Sequence, residues 1–156
     1  MKSDLLKTID ETYLLTYFGS RVLVATFCGL VIGWERELKS KIAGIRTNVL
    51  VCVGACLMTS MSFLVADYYT DLDPMRVVGQ IVTGVGFLGA GVIFKSNDNK
   101  VTGVTTAAFI WVMCALGILS GCGFVLLPII LTVGLLVISF IFKHLEDRID
   151  KYKKEN

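Results

Sequence analysis

Most of the chemistry this sequence offers lies in one short charged stretch. Glu35, Arg36 and Glu37 follow Trp34 at the end of an apolar run, and Arg46, Thr47 and Asn48 open the next. Carboxylates and guanidinium groups at such a boundary can pair, anchor the chain among lipid headgroups, bind a ligand or gate a path. A surface salt-bridge cluster would contribute little, about 0–1 kcal/mol per pair. If a third apolar segment packs on this corner, Glu35, Arg46, Asn48 and Gln80 form one buried polar network, a candidate ligand site or gate. Arg21 lies inside an apolar run, where charge costs at least a few kcal/mol, and either snorkels to the headgroups or pairs.

No catalytic constellation accompanies these groups. His144 is the only histidine, so no His-based triad or zinc cluster assembles within one chain. The glycines from Gly84 to Gly91 lack the Lys-Ser/Thr ending of a phosphate-binding loop. Cys28, Cys52, Cys56, Cys114 and Cys122 show no CxxC spacing and read as small membrane-buried thiols. Cys52 and Cys56 stand one helical turn apart, but two ligands do not make a metal site. No enzyme activity, metal or cofactor is expected.

The elements that position these groups follow from the apolar runs. With 156 residues, 54% of them hydrophobic, and a mean hydropathy of +0.72, the chain exceeds the roughly 45–50% apolar content of soluble domains. Uncharged runs cover 22–34, 47–66, 77–94 and 101–142. The last is about twice the roughly 20 residues that one crossing takes. Gly121-Cys122-Gly123, with Pro128 soon after, marks its reversal. The expected fold is an all-α polytopic transmembrane helix bundle of five spans, 13–34, 46–66, 76–94, 102–120 and 124–142. These make one membrane domain over 1–142, followed by a short basic helical tail over 143–156.

Charge orients the bundle. Arg36, Lys39, Lys41 and Arg46, then Lys95 and Lys100, then Lys143, Arg148, Lys151, Lys153 and Lys154 fall on one side, against Lys2, Lys7 and Arg76 on the other. The positive-inside rule makes the first side, with the C-terminus, cytoplasmic and leaves the N-terminus outside. The net charge of +2 reflects this topology and gives no argument for nucleic acid. No cleavable signal peptide is expected, because Arg21 interrupts the first apolar run.

Small residues are the second organising signal. Gly29 with Gly33 and Gly117 with Gly121 are GxxxG pairs, and Gly79, Gly84, Gly86, Gly89, Ala90 and Gly91 fall in the third span. In lipid such residues let helix backbones approach. The readings are packing within one protomer, a homo-oligomer interface, or an unwound stretch lining a cavity. Asp73 before Pro74, with Arg76 in the following turn, is a helix start at the end of an outer loop. Placing Gly44–Asn48 over Gly103–Ala107 reads as a parallel repeat of spans 1–2 and 3–4.

Four stretches together resemble the MgtC/SapB family of bacterial membrane proteins. They are Arg21-Val22-Leu23 with Gly29 to Glu37, AGIRTNVLVCVGA from Ala43 to Ala55, DPMRVVGQIVTGVGFLGAGVIFK from Asp73 to Lys95, and GVTTAAFIWVMCALGILSGCG from Gly103 to Gly123. The resemblance implies a five-helix protein of the bacterial inner membrane, linked to growth in low magnesium and to stress adaptation, that acts through partner membrane proteins. By position, Arg21, Glu35, Arg36, Glu37, Arg46, Thr47, Asn48, Asp73, Arg76 and Gln80 match family motifs. The sequence departs from the best-known member's GLNTA motif at Val104 and Thr105, and has Ser96 in place of an acidic residue, with Asp98 nearby. The expected function is non-enzymatic modulation of a partner membrane complex by a homo-oligomer in the lipid bilayer. The alternative is a small transporter or channel for an ion or small solute.

Overall fold

The computed structural model describes residues 10–69, 71–95 and 99–155; Lys2, Lys7, Ser96, Asp98 and Asn156 lie outside them. Five helices follow in order: α1 (Glu11–Leu38), α2 (Ile45–Tyr68), α3 (Met75–Gly91), α4 (Val104–Gly121) and α5 (Leu126–Glu155). Four of them, α1, α2, α4 and α5, are long and apolar enough to cross a membrane. The chain is an all-α, multi-pass membrane bundle.

Two boundaries differ from the sequence expectation. α1 does not end at Trp34 but continues through Leu38, so Glu35, Arg36 and Glu37 stand on its last turn. These are good helix formers, and Glu35 pairs one turn ahead with Lys39. α3 stops at Gly91 rather than Phe94, because Phe94–Lys95 (β1) pairs antiparallel with Val101–Thr102 (β2). At about 1.5 Å per residue its 17 residues reach about 26 Å, short of the roughly 30 Å hydrocarbon core. Gly103 then turns the chain into α4 with φ of +88°, where a side chain would collide with the Val92 carbonyl.

α2 occupies the centre. A Cβ added at Gly29 or Gly33 of α1 would fall 2.6 Å from Val49 Cα or 2.7 Å from Ile45 Cα. On the other side, a Cβ at Gly117 of α4 would strike the Cys52 carbonyl, and one at Gly121 would lie 2.7 Å from the Cys56 carbonyl oxygen. α1 thus packs antiparallel to α2, and α4 packs parallel to it, both at backbone contact. Between the three lie Ala25, Cys28, Ile32, Cys52, Cys56 and Met113. The cysteines are free and serve here as compact packing groups.

α3 is attached differently. Ile81, Val85 and Gly89, spaced four apart, are its buried residues, and the first two join Ala55, Ile110 and Cys114. Gly79, Gly84, Gly86 and Gly91 face open space, and a side-chain carbon added at any of them would meet nothing within 4 Å. Before α3, Asp73 Oδ1 accepts a hydrogen bond from the Met75 amide at 2.9 Å, and Pro74 has helical backbone angles. After α4, Gly123 (φ +95°) reverses the chain into α5, where Pro128 is buried in the first turn.

Candidate functional site

The end of the bundle that carries Arg36, Lys39, Lys41, Lys95 and Lys143, here the basic end, holds the charged cluster. Lys39 caps the C-terminus of α1 one turn after Glu35, and Ser139 of α5 packs beside both. Lys39 Nζ pairs with Glu35 Oε1. Ser139 Oγ donates to the same oxygen at 3.0 Å and accepts from Lys39 Nζ at 3.2 Å. Carboxylate, ammonium and hydroxyl therefore close a triangle that ties α1 to α5.

Arg36 turns toward α4. Its guanidinium carbon stands 4.2 Å from the centre of the Phe109 ring, a cation–π contact. Nη1 is 3.8 Å from Glu35 Oε2, too long for a hydrogen bond. The residue is only 3% exposed, and its Nε and Nη2, like Glu35 Oε2, are buried with no hydrogen-bond partner among the described residues.

Glu37 and Asn48 build the junction between α1 and α2. Glu37 Oε2 accepts from the Ile45 amide at 3.1 Å, capping α2 in place of the side chain that Gly44 lacks. A Cβ at Gly44 would occupy the position of that carboxylate. Asn48, fully buried, donates through Nδ2 to the Ala43 and Gly44 carbonyls at 3.0 and 2.7 Å. The reverse amide orientation would set oxygen against oxygen.

The four-residue network expected from the sequence is not assembled. Glu35 is engaged by Lys39, Ser139 and Arg36, Asn48 is turned into its own loop, and Arg46 and Gln80 are exposed. The reason is direction. α3 runs toward the basic end, so Gln80, in its first turns, lies about 16 Å of helix rise from Gly91. Thr47 is half-buried beside Asn48, and Arg76 is exposed. Arg21, at the opposite end, stacks on Tyr17 with its guanidinium carbon 3.6 Å from the ring centre. Its Nη2 reaches the α4–α5 turn, 3.2 Å from where a Gly123 side chain would begin. No carboxylate pairs with it among the described residues.

Lys39, Phe109 and Ser139 are the site residues that sequence reasoning missed. Lys39 had a signal, its spacing of four from Glu35. Phe109 and Ser139 had none, since each reaches the cluster only through tertiary packing. Among the described residues, no group of three or more His, Cys, Asp or Glu side chains is placed to hold a metal ion.

Residues 22–148, which include every member of the charged cluster, match the family model described as MgtC family. The chain belongs to the MgtC family. It is 42% identical over 106 residues to protein SapB of Bacillus subtilis, covering 65% of this chain and 46% of the relative. It is 42% identical over 121 residues to protein MgtC of Brucella abortus, with 78% and 49% covered. A third relative, the putative magnesium transporter YhiD of Escherichia coli, is 42% identical over 133 residues, with 82% and 61% covered. The chain spans about half the length of the curated relatives it matches. No solved structure matches it.

Proposed function

We propose that this MgtC-family chain is a non-enzymatic protein of the bacterial inner membrane that acts by docking a membrane helix of a partner complex onto α3, as part of adaptation to magnesium limitation or stress. The observation that carries this reading is the outer surface of α3. Gln80 is exposed there, beside Gly79, with Gly84 and Gly86 one and two turns on and open space over all three glycines. A primary amide facing lipid has unmet donors and acceptors, and small residues around it admit another backbone, so both are satisfied by a second helix. The same surface suits self-association, and a homo-oligomer is part of the proposal. The name of the Escherichia coli relative supports the link to magnesium.

The test is a photo-crosslinking residue at Thr83 in native membranes. A stoichiometric membrane partner is expected, lost on Gly86→Leu. Because Gly86 has no neighbour within 4 Å, that substitution does not lower the unfolding midpoint in detergent. Crosslinks only to other copies of this chain would overturn the partner-modulator reading.

The second reading is transport, favoured by the name of that same relative. It predicts magnesium flux in liposomes that changes with Glu35→Gln. The electrostatics argue against it: Lys39 and Arg36 both stand beside Glu35, and these two positive charges outweigh its single negative one and repel a magnesium ion.

A further inference from the structure

A groove of about 910 Å³ opens at the basic end between the end of α1, the start of α4 and the middle and later turns of α5. Its walls change character along its length. Toward the bundle centre it is lined by Val112, Leu135 and Ile138, and toward the rim by Lys39, Lys41 and Lys143, with Arg36 buried in its wall. Glu146 and Asp147 also stand on the rim, so cations outnumber acids there. Lys39 is committed to Glu35, but neither Lys41 nor Lys143 forms an ion pair among the described residues, and both are exposed.

Arg36 supplies an independent observation. It lines this groove, is 3% exposed, and holds Nε and Nη2 without acceptors. Phe109 occupies the face of the guanidinium, so its in-plane N–H groups are what remain to be met. A phosphate meets such an edge with two parallel hydrogen bonds. An apolar slot ending in lysines at a membrane boundary matches a molecule with a hydrocarbon chain and an anionic head.

We propose that this groove holds one anionic phospholipid from the leaflet at the basic end. Its phosphate sits between Lys41 and Lys143 and draws the Arg36 edge toward it by a turn of the guanidinium on Phe109. One acyl chain lies along Val112, Leu135 and Ile138. A free anion would leave the apolar wall unused, and an uncharged chain would leave the lysines unused.

The experiment is titration of the delipidated full chain in detergent with dioleoylphosphatidylglycerol or dioleoylphosphatidylcholine, read by native mass spectrometry. One phosphatidylglycerol is expected to bind at least 10-fold more tightly than phosphatidylcholine. Lys41→Gln with Lys143→Gln lowers phosphatidylglycerol affinity at least 5-fold; both lysines are exposed, so the unfolding midpoint stays put. Ile138→Trp, which fills the slot, weakens binding, whereas Ile130→Trp, on the exposed surface of α5, does not. Equal affinity for the two lipids, or no effect of the lysine pair, overturns the proposal. So does inorganic phosphate binding that survives Ile138→Trp, which would make this a free-anion site.

Discussion

Glu35 accepts from Lys39 and Ser139 on one oxygen and leaves the other facing Arg36, so a single carboxylate organises two cations at the end of α1. Its side chain is 18% exposed, which places the cluster between exposed pairs, worth under about 1 kcal/mol, and buried ones, whose disruption costs roughly 3–5. Glu35→Gln is therefore expected to destabilise the protein by about 1–3 kcal/mol, and Ser139→Ala by about 1 kcal/mol. The double variant should cost less than the sum, because the Ser139 hydroxyl has already lost its ionic acceptor in Glu35→Gln. Unfolding in detergent measures all three; additivity within about 0.5 kcal/mol would show that the hydroxyl acts independently. Half of this site was legible in the sequence. The i, i+4 spacing marks Glu35 and Lys39, and the boundary position marks Arg36, but Ser139 lies 104 residues from Glu35 and only packing brings it there. The polarity of Gln80 points to the network, but the direction of α3 carries it to the other end.

The same split between pattern and partner holds for the helices. Glycine spacing in α1, α3 and α4 is visible in the sequence, but which glycines meet a neighbour depends on α2 lying between α1 and α4. Gly117 abuts backbone, the Cys52 carbonyl, which cannot yield as a flexible side chain would. Gly117→Ala should thus cost about 1–3 kcal/mol from overpacking. Gly84 has open space around it, and Gly84→Ala should leave stability unchanged or raise it by up to about 1 kcal/mol through helix propensity. Unfolding midpoints of the two variants check this; equal losses would mean that the α2–α4 backbone contact is not what Gly117 serves. Helix ends were less legible than helix existence. An uncharged run to Phe94 conceals the two-residue ladder that ends α3, because β pairing with Val101–Thr102 is set by the partner strand. Gly44 and Gly103, aligned in the expected repeat, both precede a helix, yet only Gly103 has positive φ.

At the scale of the molecule, the bundle is electrically polarised. Lysines and arginines gather at the end holding the groove, while Asp10, Asp67, Asp71 and Asp73 lie at the other. A negative potential and anionic lipids at the cytoplasmic face favour that basic end inside, and one residue reports on it. Cys122 is half-buried in the α4–α5 turn at the opposite end, whereas the other four cysteines are buried within the bundle. Burial pushes the Cys122 thiol up from its ordinary range, and the nearby Arg21 pulls it partly back. A raised pKa means less thiolate at neutral pH than an ordinary thiol would have, and a labelling rate that keeps climbing above about pH 8.5. A membrane-impermeant maleimide added to intact spheroplasts should label Cys122 slowly at pH 7 and faster at pH 9, with no signal in Cys122→Ser. Arg21→Gln should slow the reaction further at a given pH, since the lowering influence is gone. Labelling that requires lysis would place this turn inside the cell and the groove, with its proposed phospholipid, in the outward-facing leaflet.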